Sequence, residues 1–199
     1  MQSSIDVIKN LKLQSSYSAG QLGISIYQYI RQLKPKKVVE FGVLNAYSTV
    51  CMGLALRDNK VGTLLSLDLW EEYEYKSSTL KLAQDVINEH DLQGVVQLGH
   101  GDIFVELQKE ELSTDICDAD LMHIDISNDG EKLESVFRIL SSRNDIDPII
   151  LFEGGTKERD EVEWMKKYGR RPICDIHNMF PYRVLDSSFP GISVYGEKI

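Results

Sequence analysis

Residues 38–49 read VVEFGVLNAYST, an apolar run that ends in an acid, turns at a glycine and continues into hydroxyl-bearing residues. Together with Lys37, the start of this stretch forms the run KVVEF at residues 37–41. The run is short and contains β-branched residues, which is typical of a strand buried in a sheet. A helical stretch over residues 46–56 follows, and TLLSLD at residues 63–68 has the pattern of a second strand. This order predicts a βαβ unit with two parallel strands.

The same alternation of strands and helices extends from this unit toward both ends of the chain. Strands separated by helices need crossover connections, which produce a mostly parallel sheet with helices on both faces. The last two predicted strands are joined by SSFPG, a link too short for a helix, and should form an antiparallel hairpin. The further predicted helices are residues 21–33, 78–89, 130–140 and 156–168, and the further predicted strands are residues 95–98, 121–125, 149–152, 183–186 and 192–195.

The predicted fold class is therefore α/β, an open three-layer sandwich around a mostly parallel seven-stranded sheet with a C-terminal antiparallel hairpin. A chain of 199 residues with 42% hydrophobic and 27% charged residues has the composition of an ordinary globular domain. No repeat or long Pro/Gly-rich linker divides the sequence. We expect one domain over residues 1–199, with residues 1–17 as an N-terminal extension.

Charge and composition limit the expected partners and location. The formal charge of −9 gives no counterion-release energy with a phosphate backbone, so no nucleic-acid partner is expected. The sequence has no apolar run of membrane-spanning length, and its first residues lack the zones of a signal peptide. We expect a cytoplasmic protein without membrane contact. The three cysteines, expected to be reduced packing residues, are Cys51, Cys117 and Cys174.

Acidic residues follow almost every predicted strand. Ligands of an open parallel sheet bind beyond the carboxyl ends of its strands, so these acids are expected to meet in one cleft. Such a row is unfavourable unless it bonds hydroxyls, amines or a cation, because like charges raise one another's pKa. In nucleoside-binding sheets, an acid about 20 residues after the glycine turn holds the ribose hydroxyls. Asp68 follows Gly42 at a similar distance along the chain. The cleft therefore predicts a cationic nucleoside as ligand. Its strand-end residues are Glu40, Gly42, Asp68, Gly101, Asp102, Asp125, Glu153, Gly154 and Gly155.

A dinucleotide such as NAD or FAD does not fit the turn after the first strand. Its pyrophosphate is bound by a G-x-G-x-x-G turn, whose later glycines allow close approach of backbone and helix. Residues 42–46 read GVLNA and supply one glycine of the three. Glu40, two residues upstream, would repel a pyrophosphate.

The segment VVEFGVLNAYST resembles the first motif of class I S-adenosylmethionine-dependent methyltransferases, especially the catechol-type and sugar-modifying O-methyltransferases, whose form is E-x-G-x-x-x-G-x-S-T. Glu40, Gly42, Ser48 and Thr49 match that form, and Ala46 replaces its second glycine. The resemblance extends from about residue 18 to the last residue. It implies the Rossmann-like methyltransferase fold and S-adenosylmethionine as cofactor.

The resemblance also implies roles for individual residues. Glu40 and Gly42 would face the methionine part of the cofactor, Asp68 would hold the ribose hydroxyls, and Asp102 would meet the adenine amine. Asp125 ends the strand where many of these enzymes place a metal ligand or a catalytic acid. The cofactor-binding residues implied are Glu40, Gly42, Ser48, Asp68, Leu69, Gly101, Asp102 and Asp125.

The ends of the fourth and fifth strands depart from the family pattern. Sugar-modifying relatives often continue with G-D-H-S-Y, whereas residues 126–130 read ISNDG and supply no histidine. Catechol-type relatives end strand five with Asp-Asn as metal ligands, where this chain has Glu153 and Gly154. A divalent cation held by Asp125 and Glu153 is left open. The catalytic candidates are Asp125, Glu153 and His123, with His177 as another candidate base.

Several of these residues also have a structural interpretation. Asp102 can equally cap the helix that follows it, and His123 fits a hydrogen-bonded core residue as well as a base. The charged run 156–168 is expected to be a solvated helix face, with contact between Lys157 or Arg159 and an acidic substrate as the alternative. The aromatic residues after the second strand, Trp70, Tyr73 and Tyr75, either stack on a ligand or pack a loop.

The function implied by the resemblance is methyl transfer from S-adenosylmethionine to the oxygen of a small-molecule acceptor. In-line displacement at a sulfonium methyl needs positioning and, for a hydroxyl acceptor, a base or metal that takes its proton. The alternative is a non-catalytic S-adenosylmethionine-binding module or subunit, which the missing histidine favours. A homodimer is left open.

Overall fold

The structure, a computed structural model, describes residues 3–19, 21–74 and 78–197. Seven strands form one sheet in the order β3-β2-β1-β4-β5-β7-β6. The strands are β1 (Lys37–Phe41), β2 (Thr63–Asp68), β3 (Val96–His100), β4 (Leu121–Ile124), β5 (Ile149–Glu153), β6 (Tyr182–Asp186) and β7 (Ile192–Tyr195). The helices are α1 (Ser4–Lys9), α2 (Leu22–Leu33), α3 (Tyr47–Asn59), α4 (Leu80–Glu89), α5 (Ile103–Glu106), α6 (Thr114–Cys117), α7 (Gly130–Ser142), α8 (Lys157–Asp160) and α9 (Glu163–Lys167).

Strands β1 to β5 are parallel, and β7 pairs antiparallel with both β5 and β6. The predicted α/β sandwich with its C-terminal antiparallel hairpin is therefore confirmed. The strand order reverses between β1 and β4. These two strands are parallel neighbours, so their carboxyl ends lie side by side at the same end of the sheet. In a doubly wound sheet this switch point is where ligands bind, because the connections diverge there and leave a crevice.

The two faces of the sheet carry separate apolar cores. Val38 of β1 packs with buried residues of α2 and α3, whereas Val39 packs with buried residues of α7. Successive side chains of a strand point to opposite faces, so a strand buried on both faces is apolar nearly throughout. Ile8 and Tyr17, from the predicted N-terminal extension, are almost fully buried in the core under α2 and α3.

One predicted helix was wrong. Residues 156–168 form two short helices, α8 and α9, because Val162 between them adopts an extended backbone. The face is not uniformly solvated, since Arg159 is 4% exposed and turns toward the sheet. Asp160 is only partly exposed, and its carboxylate accepts hydrogen bonds from the backbone N–H groups of Ile173 and Cys174.

The three cysteines are free, as expected, and Cys51 is fully buried in the core. Its burial raises the pKa of the Cys51 thiol, which keeps it protonated. No helix within residues 3–19, 21–74 and 78–197 has the length and apolar character needed to cross a membrane.

Gly42 makes the turn at the end of β1 with a φ of +89°. A Cβ atom at this position would lie 1.9 Å from the backbone oxygen of Asp125 at the end of β4. Only a residue without a side chain fits between the two strand ends in this conformation.

Substituting Gly42→Ala is therefore expected to lower the free energy of unfolding by about 3 kcal/mol or more, because strain at positive φ adds to a clash with backbone. Gly94→Ala is the matched control, since a Cβ at Gly94 meets no atom of the described residues within 4 Å. It should change the free energy of unfolding by less than about 0.5 kcal/mol. Urea unfolding of both variants measures the difference, and equal stability would contradict this account of the turn.

Candidate active site

A cavity of about 560 Å³ opens at the carboxyl ends of the parallel strands, within the size range of small-molecule sites. Carboxylates from four different strand ends converge in it, as expected from the sequence. Most of the predicted site residues line this cavity. They are Gly42, Ser48, Asp68, Leu69, Gly101, Asp102, Asp125 and Glu153.

Glu40 does not line the cavity but lies behind it, wholly buried. In the parallel register Glu40 is opposite Ser66 of β2 and His123 of β4, so strand periodicity points the three side chains to one face. The contact between Glu40 and the methionine part of a cofactor stays a prediction, and in the structure the oxygens of Glu40 are bonded by other side chains. The carboxylate accepts hydrogen bonds from the hydroxyls of Ser48 (2.5 Å), Thr49 (2.6 Å) and Ser66 (2.7 Å), and Nδ1 of His123 lies 3.2 Å from it.

His123 is a buried core histidine that nevertheless connects to the cavity. Its Nε2 lies 3.2 Å from the hydroxyl of Tyr17, whose other neighbour is the Asp125 carboxylate. Burial first, and then the charge of Asp125, raises the pKa of Tyr17. Tyr17, His123 and Glu40 thus form a buried row joined by hydrogen-bond distances, and the Tyr17 end of the row interacts electrostatically with Asp125. Asp125 itself lies at the cavity wall.

Asp125 is partly buried at the cavity wall, and desolvation raises the pKa of its carboxyl. His123, the hydrogen bond from Tyr17 and the charge of Arg159 all oppose that rise. A carboxylate with a raised pKa next to a cavity has the proton affinity that a general base requires.

Asp68 organises the turn between β1 and α3. Its Oδ2 accepts hydrogen bonds from the backbone N–H groups of Val43 (2.7 Å) and Leu44 (3.0 Å), and its Oδ1 accepts one from Trp70 (3.0 Å). A carboxylate has about four acceptor positions, so one remains for a ligand hydroxyl. Ala46, in place of the family's second glycine, adopts a φ of +63° within this turn.

Asp102 caps helix α5, as one of its two interpretations predicted. Its Oδ1 accepts a hydrogen bond from the backbone N–H of Phe104 at 2.7 Å. Since the residue also lines the cavity, its second oxygen is available to a ligand. The capping role and the ligand role are therefore compatible for one carboxylate.

Glu153, at the end of β5, is paired with Arg159. Nε of Arg159 donates to Oε1 of Glu153, and Nη2 donates to Oε2 at 3.0 Å. Both side chains are about 95% buried, with 5% and 4% of their surfaces exposed. Burial, and then the charge of Asp125, raises the pKa of Glu153, and the Arg159 guanidinium opposes that rise. Burial lowers the pKa of Arg159, but the hydrogen bond to Glu153 and the charges of the neighbouring carboxylates together outweigh it and raise that pKa.

A divalent cation at Asp125 and Glu153 does not fit these contacts. Both oxygens of Glu153 accept hydrogen bonds from a guanidinium that already supplies the positive charge. Within the described part of the chain, no three His, Cys, Asp or Glu side chains are grouped so that they could hold a metal ion. The next residue, Gly154, provides no side-chain ligand.

Aromatic side chains line the cavity on both sides of the strand ends. Trp70 and Tyr73 lie on the side of Asp68, as predicted, while Tyr75 lies outside the described residues. Trp164 and Phe189 line the side of Arg159. His177, the other candidate base, is exposed and stacks edge-on against Tyr182 at 4.6 Å instead of lining the cavity.

Sequence reasoning missed Tyr17 and misplaced Arg159. Tyr17 is 106 residues from His123 in the chain, and nothing in its local pattern indicates that contact. Arg159 lies in a run of charged residues that has the appearance of a solvated helix. One indication of its place in the site was present in the sequence, which is that Arg159 lies close to the end of β5 in the chain. The alternative interpretation, contact with a substrate, rested on that position.

The chain's sequence and fold identify its family. Residues 39–153, more than half of the chain, match the family described as a methyltransferase domain, and the chain belongs to that family. Its fold is the Rossmann-like fold of the class I S-adenosylmethionine-dependent methyltransferases. No curated protein sequence matches the chain.

Three solved structures illustrate the likeness of fold. The O-methyltransferase from Bacillus cereus, in complex with S-adenosylhomocysteine, has a TM-score of 0.63 and 16% identity over 99% of this chain and 92% of that one. TomG from Streptomyces achromogenes, an O-methyltransferase of tomaymycin synthesis in complex with S-adenosylmethionine, has a TM-score of 0.62 and 12% identity over 100% and 91%. The S-adenosylhomocysteine-bound methyltransferase PaMTH1 from Podospora anserina has a TM-score of 0.63 and 13% identity over 100% and 89%.

Removing the Tyr17 hydroxyl should remove the link between Asp125 and His123. Tyr17→Phe leaves two buried polar groups without this partner, so we expect the free energy of unfolding to fall by about 1–3 kcal/mol. Tyr27→Phe is the matched control, because its partner Asp58 is 30% exposed and water can replace the lost bond. Urea unfolding should give a smaller loss for Tyr27→Phe, and the reverse order would contradict the proposed network.

Proposed function

We propose that the protein transfers a methyl group from S-adenosylmethionine to a hydroxyl oxygen of a small-molecule acceptor in the strand-end cavity. The observation that carries this proposal is the convergence of Asp68, Asp102 and Asp125 on one cavity beside the Gly42 turn. Membership of the methyltransferase-domain family and the cofactors named for proteins of similar fold support it.

The cofactor would lie in the half of the cavity formed by the ends of β1, β2 and β3. The free acceptor position of Asp68 suits ribose hydroxyls, and the second oxygen of Asp102 suits the adenine amine. Gly42 lets the ends of β1 and β4 lie close together, since a Cβ there would clash with the backbone oxygen of Asp125. Ser48, Leu69 and Gly101 complete this half.

The acceptor would lie in the other half, beside Asp125, Glu153 and Arg159. S-adenosylmethionine supplies an activated methyl group, so the protein's own contribution is alignment and removal of the hydroxyl proton. Asp125 is the base in this proposal. Behind it lie Tyr17, His123 and Glu40, joined by hydrogen-bond distances, and the Tyr17 end of this row interacts with the Asp125 carboxylate. His123 thus acts through Asp125 and does not contact the acceptor.

The remaining expectations from the sequence are part of the same proposal. These are one domain over residues 1–199, a cytoplasmic location and no nucleic-acid or membrane partner. The homodimer is left open.

Asp68→Asn should weaken S-adenosylmethionine binding by about 10- to 100-fold, because hydrogen bonds to a charged carboxylate are stronger than those to an amide. Isothermal titration calorimetry measures the affinity. Asp85→Asn is the matched control, since Asp85 is an exposed residue of α4 paired with Lys81. An unchanged affinity for Asp68→Asn, with thermal stability also unchanged, would exclude Asp68 as a cofactor ligand.

Asp125→Asn should lose methyl transfer and gain stability at neutral pH. The raised pKa of Asp125 means that the native state holds this proton more tightly than the unfolded state. Its contribution to stability is therefore present at low pH and lost as pH rises through the native pKa, and an amide avoids that loss. For the wild type, kcat/KM should fall as Asp125 is protonated, at a pH above the ordinary aspartate range. Melting temperatures and pH–rate profiles measure both effects, and retained activity in Asp125→Asn would exclude it as the base.

The rival function is a module that binds the cofactor without turnover. Calorimetry with S-adenosylmethionine, followed by a methyl-transfer screen over hydroxyl-bearing acceptors, separates the two. Tight binding without transfer to any acceptor would favour the module, and no binding would contradict both.

A further inference from the structure

The Arg159 guanidinium joins the ends of β4 and β5 inside the site. Its Nε donates to one oxygen of Glu153, and its Nη2 donates to the other oxygen and to the backbone oxygen of Asn128, both at 3.0 Å. Asn128 is fixed in turn, because its side-chain nitrogen donates to the backbone oxygens of Ile124 and Glu153, both at 2.9 Å. The guanidinium is therefore attached both to the end of β5 and to the turn that follows β4.

A second carboxylate lies beside this pair. Ile124 of β4 and Phe152 of β5 are partners in the parallel register. The residues that follow them, Asp125 and Glu153, therefore lie side by side at the cavity. Desolvation raises the pKa of both carboxyl groups, the charge of Asp125 raises the pKa of Glu153 further, and the charge of Arg159 opposes the rise at both. One guanidinium thus offsets the charges of two neighbouring acids.

We propose that the Arg159 guanidinium is the resident cation of this site, that it takes the place a divalent metal ion would have between Asp125 and Glu153, and that methyl transfer here needs no metal ion. This inference rests on the proposed function and deepens it. Arg159 is then a positioning residue, because it holds Glu153 and offsets the charge beside Asp125 without contacting the acceptor.

The donor set at these strand ends fits a guanidinium better than a metal ion. A guanidinium binds the two oxygens of one carboxylate in a flat, two-pronged contact, as it does at Glu153. Mg²⁺ requires about six oxygen ligands in octahedral geometry, usually one or two carboxylates with water. Both oxygens of Glu153 and the backbone oxygen of Asn128 already accept from Arg159. Of the two neighbouring acids, only Asp125 keeps oxygens for a metal ion.

Burial makes the guanidinium hard to displace. The side chains of Arg159 and Glu153 are both almost wholly buried, and the ring of Trp164 covers the guanidinium with its centroid 5.1 Å from Cζ. The attraction between opposite charges is stronger where water is excluded. A metal ion would have to break this pair and also lose part of its own tightly held water shell. We therefore expect the arginine to prevail over metal ions in solution.

The resident cation lets Asp125 stay ionised next to a second acid. Like charges raise one another's pKa, so two unpaired carboxylates at neighbouring positions compete for one proton. With Glu153 paired to Arg159, Asp125 is relieved of much of that competition and can take the proton of an acceptor hydroxyl. Arg159 therefore influences the reaction through Asp125.

The first test uses Mn²⁺, whose electron paramagnetic resonance signal is strong when the ion is free and falls when it is bound. The wild type and Asp125→Asn are titrated with Mn²⁺, both alone and with saturating S-adenosylhomocysteine. The two proteins should bind Mn²⁺ equally, because the Asp125 carboxylate faces a guanidinium and not a metal ion. Binding by the wild type that Asp125→Asn weakens by about tenfold or more would show a metal site at Asp125 and overturn the proposal.

The second test removes the cation. Arg159→Met keeps a long side chain but leaves Asp125 and Glu153 without their shared counterion, so its affinity for Mn²⁺ should rise at least about tenfold above that of the wild type. The matched control is Arg138→Met on the exposed face of α7, where the arginine also pairs with a glutamate, Glu134. The control should bind Mn²⁺ like the wild type. Equal affinities in Arg159→Met and the wild type would contradict the proposal. Should Arg159→Met not fold, the comparison of wild type and Asp125→Asn still decides.

The third test measures the ionisation of Asp125 without turnover. Carbon-13 NMR of protein labelled at its aspartate carboxyls gives the pKa of Asp125, whose signal is assigned by its absence in Asp125→Asn. Arg159→Met should raise this pKa by about one pH unit, whereas Arg159→Lys, which keeps the charge, should stay closer to the wild type. An unmoved pKa in Arg159→Met overturns the proposal. The other titratable groups that act on Asp125 or its partner, all unchanged in these variants, are Tyr17, Glu40, His123, Glu153 and Asp160.

Failure of this inference is distinguishable from failure of the proposed function. Calorimetry with S-adenosylmethionine and the screen over hydroxyl-bearing acceptors test the function, and the screen is run with excess EDTA and again with excess Mg²⁺. Equal transfer rates in the two conditions support the resident cation. Transfer that stops in EDTA and returns with Mg²⁺ would overturn it and leave the methyltransferase proposal intact. Absent cofactor binding would overturn the methyltransferase proposal, while the Mn²⁺ and NMR results would still decide what cation the site holds.

Discussion

The buried carboxylate of Glu40 joins the elements from which the site is built. It lies on β1 at the centre of the sheet and is bonded by Ser66 of β2, His123 of β4, and Ser48 and Thr49 of α3. A buried charge is tolerated only when its hydrogen bonds are satisfied, so these partners must stay in place for the sheet to remain folded. Strand β1 is thereby fixed to both of its neighbours and to the helix that follows it.

Because its hydrogen bonds are made inside the core, Glu40 has a structural role that the acids of the cavity do not share. With Glu40 satisfied inside the core, the charges that reach the cavity come from the residues just beyond the strands. Asp68 and Asp102 are held by backbone N–H groups, and Glu153 is neutralised by Arg159. Asp125 alone among these four receives its support from a buried side-chain network, through Tyr17 and His123. Its pKa is raised by desolvation, and the network of Tyr17 and His123 opposes that rise.

The fold was predictable from the sequence because its signals are local. Each predicted strand has an observed counterpart, with ends displaced by two residues at most, since strand ends depend on hydrogen bonds to neighbours rather than on composition. The exception is the segment of α8 and α9. Its charged residues favour one exposed helix, but Arg159 is buried, Asp160 is bonded to the backbone of Ile173 and Cys174, and the chain turns at Val162 between α8 and α9.

What the sequence by itself determined is the order of strands and helices and the set of acids at the strand ends, because alternation and turn residues act over a few positions. Only the tertiary structure decided which of those acids reach the cavity. Glu40 faces inward because β2 and β4 bring Ser66 and His123 beside it, and Tyr17 meets His123 across 106 residues of chain. The tertiary structure also decided that Arg159 and Glu153 are both buried, which makes the attraction between their charges stronger than that of an exposed pair.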